Sequence, residues 1–260
     1  MRLWRAAASS FWISMRLRFV NSFAIMAWLL FPTIFAAVGL FLLAHPGETA
    51  VQLAYGVLGG GLIGYWGVAY LDGGFGIQSE RWNGTLEQIF AVPTPFWAIL
   101  LGKSVGSVVW GMLSFLPTLG LAYFGFHALL PNLDPLPFVV SFAVMTFSFF
   151  CIAFWFAPLF ALWRWAVPMI NGFELGFYVL CGFMFPVTVL PAWAQVIAGG
   201  LSPSWATTAL YASTNPSGPH DFALWWGVTI GLSLAYLVLA AWLYRLVDHR
   251  ARISGELALA

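Results

Sequence analysis

Polar positions are sparse along this chain and gather in clusters, leaving six long apolar runs between them, at about 23–44, 51–71, 98–126, 136–161, 166–186 and 222–247. A helix that crosses a ~30 Å hydrocarbon core at ~1.5 Å per residue needs about 20 apolar residues. Each run is long enough, so the pattern predicts an all-α membrane protein with six transmembrane helices. The third run has length to spare and holds Gly111, Pro117 and Gly120, which predicts a tilt or a break near Pro117. Before the first run, Trp4, Ala8, Phe11, Met15 and Phe19 recur at helical spacing among Arg2, Arg5, Arg16 and Arg18. That spacing predicts an amphipathic helix over 1–22, lying in the membrane interface.

Composition agrees with this pattern. The 260 residues are 62% hydrophobic and only 7% charged, which excludes a soluble globular domain. The position of the charges adds orientation. The ten Lys and Arg residues fall before span 1, between spans 2 and 3 or at the start of span 3 (Arg81, Lys103), between spans 4 and 5 (Arg164), and at or after the end of span 6 (Arg245, Arg250, Arg252). The intervening loops carry none. Cationic loops stay cytoplasmic, so both termini are expected in the cytoplasm. The preponderance of Arg over Lys fits a bacterial source, and hence a bacterial cytoplasmic (inner) membrane.

The expected organisation is one transmembrane domain over 1–260. The interfacial helix (1–22) leads to spans 1 and 2 (23–71), a cytoplasmic segment (72–97), spans 3 to 5 (98–186), an outer segment (187–221), span 6 (222–247) and a cytoplasmic tail (248–260). The outer segment carries one charge, Asp221, yet holds Pro191, Pro203, Pro216 and Pro219 with Trp193 and Trp205. So apolar a stretch is expected to re-enter the membrane as short broken helices. Gly56, Gly60 and Gly64 form a four-residue stripe on span 2, and Gly172 and Gly176 repeat it on span 5. Such stripes let helices approach closely, within one chain or between two.

Three motif matches carry no chemistry. Gly59, Gly61 and Gly64 have dinucleotide-fingerprint spacing but lie inside a membrane helix. Gly102-Lys103-Ser104 lacks the upstream glycine of a phosphate loop, where Trp97 stands. Asn83-Gly84-Thr85 is a glycosylation sequon on the cytoplasmic side. Cys151 and Cys181 sit within spans and have no metal-ligand spacing. His45, His127 and His220 accompany Glu48, Asp134 and Asp221 in outer loops, again without a ligand motif. No basic surface suits nucleic acid, so no nucleic-acid partner is expected.

The most specific stretch is 80–96. Thr85 and Gln88 form a capping box, Leu86, Ile89 and Phe90 make an apolar face, and Pro93 and Pro95 end the helix. Glu80, Arg81, Glu87 and Gln88 supply the polar face. An acidic amphipathic helix suits a protein partner better than an anionic lipid surface.

Glu80-Arg81, Gly84-Thr85-Leu86-Glu87-Gln88, Pro93 and Gly102-Lys103, with the basic helix before span 1, resemble the six-span permease subunits of the second-type ATP-binding-cassette exporters. Phe185-Pro186, Leu190-Pro191, Trp193 and Ser202-Pro203 fall where that family places a comparable pattern. The resemblance implies that Glu80, Arg81 and Gly84 to Gln88 form a coupling helix that docks into a separate cytoplasmic ATP-binding subunit. It implies that Phe185, Pro186, Leu190, Pro191 and Trp193 belong to outer re-entrant helices. It also implies a second permease chain, identical or homologous, with ATP and Mg held by the partner ATPase and no cofactor bound by this chain.

Glu174 lies 8–10 residues inside span 5, where a carboxylate costs about 2.5–3.5 kcal/mol on insertion scales, and Asn171 shares its helical face. Both are candidate pathway or gate residues. The leading expectation is a permease subunit without an enzymatic site of its own, exporting a hydrophobic or amphipathic drug, lipid or glycan. The alternatives are an ion-coupled carrier or an intramembrane lipid-modifying enzyme centred on Glu174.

Overall fold

The structure is a computed structural model, and it describes residues 2–43, 50–74, 76, 80, 84, 96–126, 133–162, 166–215 and 220–254. These residues are helical almost throughout, and no strand occurs among them. The α-helices are α1 (Arg2–Val20), α2 (Ser22–Leu43), α3 (Ala50–Val68), α4 (Phe96–Met112), α5 (Phe115–Gly125), α6 (Pro135–Leu162), α7 (Ala166–Leu180), α8 (Ala192–Gly199), α9 (Ser202–Ala212) and α10 (Phe222–Ser254). A π-helical turn, Ala69–Gly73, extends α3, and a short 3-10 turn covers Val187–Val189.

Among the described residues, four stretches are long and apolar enough to cross a membrane: Ser22–Leu42, Trp97–Gly125, Pro135–Phe160 and Phe222–Val247. The described residues are therefore all-helical, with the length and apolarity of a membrane protein. Two of the six expected spans look different in the structure. Helix α3 is diluted by glycines and aromatics. Helix α7 has 15 residues, about 22 Å, and stops at Leu180 rather than continuing to 186. The cause is local. Gly182 adopts φ +69, Phe183 N–H reaches back to the Tyr178 carbonyl (3.2 Å), and Gly182 N–H to that of Val179 (3.2 Å). That is a Schellman termination, and hydropathy alone does not detect it.

The third span breaks at Leu113 and Ser114, just before Pro117. Proline cannot donate to the carbonyl four residues back, that of Leu113, and Leu116 N–H takes it instead at 3.0 Å.

Helices α2 and α3 form an antiparallel pair in close contact. A Cβ added at Gly60 would lie 2.5–2.7 Å from Ala36, and one at Gly64 would lie 2.6 Å from Pro32 Cβ. One at Gly56 would sit 3.3 Å from the Gly39 carbonyl carbon. The glycine stripe of span 2 is thus an intramolecular seam. Gly172 and Gly176 meet nothing within 4 Å, so the stripe on α7 faces open space.

The core centres on α3. Trp66 stacks on Phe177 of α7 (ring centroids 4.7 Å apart) and on Tyr70 (5.5 Å), and meets Phe149 of α6 edge-on (5.3 Å). A second layer joins α6 to α10, and α9 packs against both. Within that layer Ser148 and Ser202 share a 2.7 Å hydrogen bond, and Trp226 Nε1 donates to Ser141 at 3.0 Å. Helix α1 lies across α4, so close that a Cβ at Gly102 would overlap the Ala7 carbonyl oxygen.

Candidate functional site

One end of the bundle collects the charges. Arg18, near the end of α1, pairs with Asp72 of the π-helical turn at 3.1 Å and donates to Ser107 of α4 at 2.8 Å. Lys103, two turns into α4, pairs with Glu80. Burial pulls the Arg18 guanidinium down from its ordinary value, and the neighbouring Asp72 charge opposes that pull. Helices α1, α3 and α4 are therefore joined at one level by charged contacts. The π-turn gives Asp72 its place, an irregularity common at functional positions.

Above this charged layer a cavity of about 620 Å³ opens between α2, α3, α4 and α7. Its walls are mainly apolar and rich in aromatics, with Trp28, Phe31, Trp110 and Tyr178 among them. Arg18 and Asp72 stand at one end, and Glu174 is in the wall. Glu174 is buried (9% exposed), and the Tyr178 hydroxyl, one turn later on α7, donates to its Oε1. Opposite stands Gly67, where an added Cβ would come 3.1 Å from Oε1. Gly67 and Asp72 are five residues apart along α3 and its π-turn, which puts Glu174 roughly 7–8 Å inward from the charged layer.

The expected site residues separate into three groups. Glu174 lines the cavity, but its partner is Tyr178. Asn171 is part of α7, and its side chain lies outside the described residues. Of the expected coupling residues, Glu80 pairs with Lys103, and Gly84 adopts φ +68 with nothing within 4 Å of an added Cβ. Arg81, Thr85, Leu86, Glu87 and Gln88 lie outside the described residues, as do Arg164, His45, Glu48 and His127. The third group does not line the cavity. Phe185 and Pro186 lead from the α7 terminus into the 3-10 turn, and Leu190 and Pro191 lead into α8. Trp193 is 68% exposed. The Gln195 side chain fastens this corner, donating to the carbonyls of Leu190 (2.7 Å) and Thr188 (3.2 Å).

Sequence reasoning missed Tyr178 and the Arg18–Asp72 pair. Tyr178 has a local signal, since it is four residues after Glu174 and faces the same way. Arg18 and Asp72 are separated in sequence by the whole of α2 and α3 and have no local signal. No three His, Cys, Asp or Glu side chains converge as metal ligands among the described residues.

No protein-family model matches the chain, and no curated protein matches its sequence.

Proposed function

We propose that the chain is the membrane-spanning permease subunit of an ATP-driven exporter, working with a separate cytoplasmic ATP-binding subunit and a second permease chain. The observation that carries this reading is mechanical. The Glu80–Lys103 pair ties the start of the 80–96 segment to α4, and Arg18 in turn joins α4, through Ser107, to α1 and to Asp72 at the edge of the cavity. A partner pushing on residues 80–96 then moves the helices that line the cavity. The motif resemblance supports the identity of that partner.

In this reading all six apolar runs cross the membrane. Two further observations support α3 and α7 as crossings. Helix α3 runs antiparallel to α2 from Gly39–Gly56 contact to Pro32–Gly64 contact. Helix α7 runs antiparallel to α3, with Glu174 level with Gly67 and Phe183 level with Gly59. The charged end is cytoplasmic, both termini lie there, and α8 and α9 are re-entrant helices on the outer side of a bacterial inner membrane.

The test is purification of the chain from its host membrane with whatever accompanies it. A stoichiometric ATPase, lost on Glu87→Arg, supports the reading, and a chain that purifies alone overturns it. The ion-coupled carrier is the second reading, and it rests on Glu174. Glu174→Gln abolishes transport by a proton-coupled carrier. In an ATP-driven exporter it leaves ATP-dependent turnover standing and changes which cargo is taken.

A further inference from the structure

We infer that the cavity between α2, α3 and α7 binds an amphipathic organic cation, with Glu174 as its counter-charge. Three observations converge on that chemistry. The first is the charge count of the walls. Arg18 is matched by Asp72 at 3.1 Å, whereas Glu174 has no Lys, Arg or His nitrogen within 4 Å among the described residues. Its described partner is the Tyr178 hydroxyl, a neutral donor. With both carboxylates ionised the cavity carries one uncompensated negative charge in low-dielectric surroundings, where an opposite charge within about 4–6 Å is worth most.

The second observation is the wall material. Trp28, Phe31, Trp110 and Tyr178 bring four aromatic rings to one chamber. Their faces attract cations and their bodies accept apolar groups. An anion is repelled by Glu174 and gains nothing from the rings. A polyhydroxylated headgroup needs many accessible hydrogen-bonding groups, which these largely apolar walls do not offer. The third is space. About 620 Å³ lies in the range that accommodates a drug-sized molecule, and Gly67 keeps the wall opposite the carboxylate clear.

That this ligand is cargo rests on the exporter reading. Binding itself does not, and it is measured on the chain without any ATPase. Failure here therefore leaves the co-purification result untouched, and the reverse holds too.

The experiment is equilibrium binding to the full chain in phosphatidylcholine nanodiscs, corrected for empty discs. The probes are tetraphenylphosphonium and tetraphenylborate, which share a shape and differ in charge. The expected result is one saturable phosphonium site per chain, with the borate at least tenfold weaker. Glu174→Gln weakens phosphonium binding at least tenfold and Glu174→Asp less. Gly67→Leu, which puts a side chain against Glu174 Oε1 and the Tyr178 hydroxyl, removes the site. Equal binding of the two ions overturns the inference on the unmodified chain, whether or not the variants fold. So does wild-type affinity in folded Glu174→Gln, or a decyl glycoside that binds more tightly than the phosphonium.

Discussion

The Tyr178 hydroxyl donates to Glu174 Oε1 from one helical turn further along α7, and this bond is how the chain keeps a carboxylate inside an apolar bundle. Neither residue is tied to the charged layer below. Together they form a polar pair on the cavity wall, with Phe35 beside Tyr178 at 6.4 Å between ring centroids.

Removing the donor therefore costs more than neutralising the acceptor. Tyr178→Phe leaves a buried oxygen without its partner and is expected to destabilise the protein by about 1–3 kcal/mol. Glu174→Gln keeps an acceptor oxygen at that position and costs less. When Tyr178→Phe is combined with Glu174→Gln, it is expected to cost less than it does alone, giving a coupling energy of about 0.5–3 kcal/mol in a double-mutant cycle. Unfolding free energies from detergent titration measure all four corners. Additive single costs would mean that the amide oxygen introduced by Glu174→Gln accepts the Tyr178 bond as well as the carboxylate does.

The glycines of the two small-residue stripes are expected to respond in opposite ways. Gly60→Ala puts a Cβ against the Ala36 backbone, so α2 and α3 must separate, at about 1–3 kcal/mol for overpacking. Gly172→Ala enters open space on α7 and restricts the unfolded chain, so it stabilises by up to about 1 kcal/mol. The same unfolding titration reads both. A destabilising Gly172→Ala would indicate that the open face of α7 is covered in the assembled protein.

The boundaries legible in the sequence were those set by hydropathy. The expected starts at 23, 136 and 222 fall within one residue of Ser22, Pro135 and Phe222. The end of α7 was not legible, because it depends on the left-handed backbone at Gly182 within an unbroken apolar run. Within the site, Glu174 stood out as the acid in an apolar helix. Asn171 upstream and Tyr178 downstream both share its helical face, and helical spacing alone does not say which side chain reaches it. The Gly56, Gly60 and Gly64 stripe announced a close contact, but the opposing surface of Pro32, Ala36 and Gly39 emerges only when the two helices are set side by side. Arg18 and Asp72 illustrate the general limit. Each is an ordinary interfacial charge in sequence, and their pairing exists only in the packed chain.

That pair makes an asymmetric prediction. The Arg18 side chain is 13% exposed and that of Asp72 is 50% exposed. Asp72→Asn strands a guanidinium that water scarcely reaches, an expected loss of about 1–3 kcal/mol. Arg18→Met leaves a half-exposed carboxylate that burial already pushes up from its ordinary value, and a proton can neutralise it, so the expected loss is smaller than that of Asp72→Asn. Equal losses, or the reverse order, would show that the Ser107 contact rather than the ion pair dominates at Arg18.

The crossing pattern is open to a direct chemical test, because both native cysteines, Cys151 and Cys181, are fully buried and give a silent background. A membrane-impermeant maleimide is expected to label Asp221→Cys, at the start of α10, in intact cells. It is expected to label Arg245→Cys, near the far end of the same helix, only after lysis. The side chain at 245 is exposed, so lack of access in intact cells reports the membrane and not the protein interior. The two positions are 24 residues apart along one helix, about 36 Å, which exceeds the ~30 Å hydrocarbon core. Retention of Arg245, Arg250 and Arg252 in the cytoplasm is what the positive-inside bias requires. Labelling of the Arg245→Cys variant in intact cells, with Asp221→Cys protected until lysis, would invert the orientation and put residues 80–96 out of reach of any cytoplasmic ATPase.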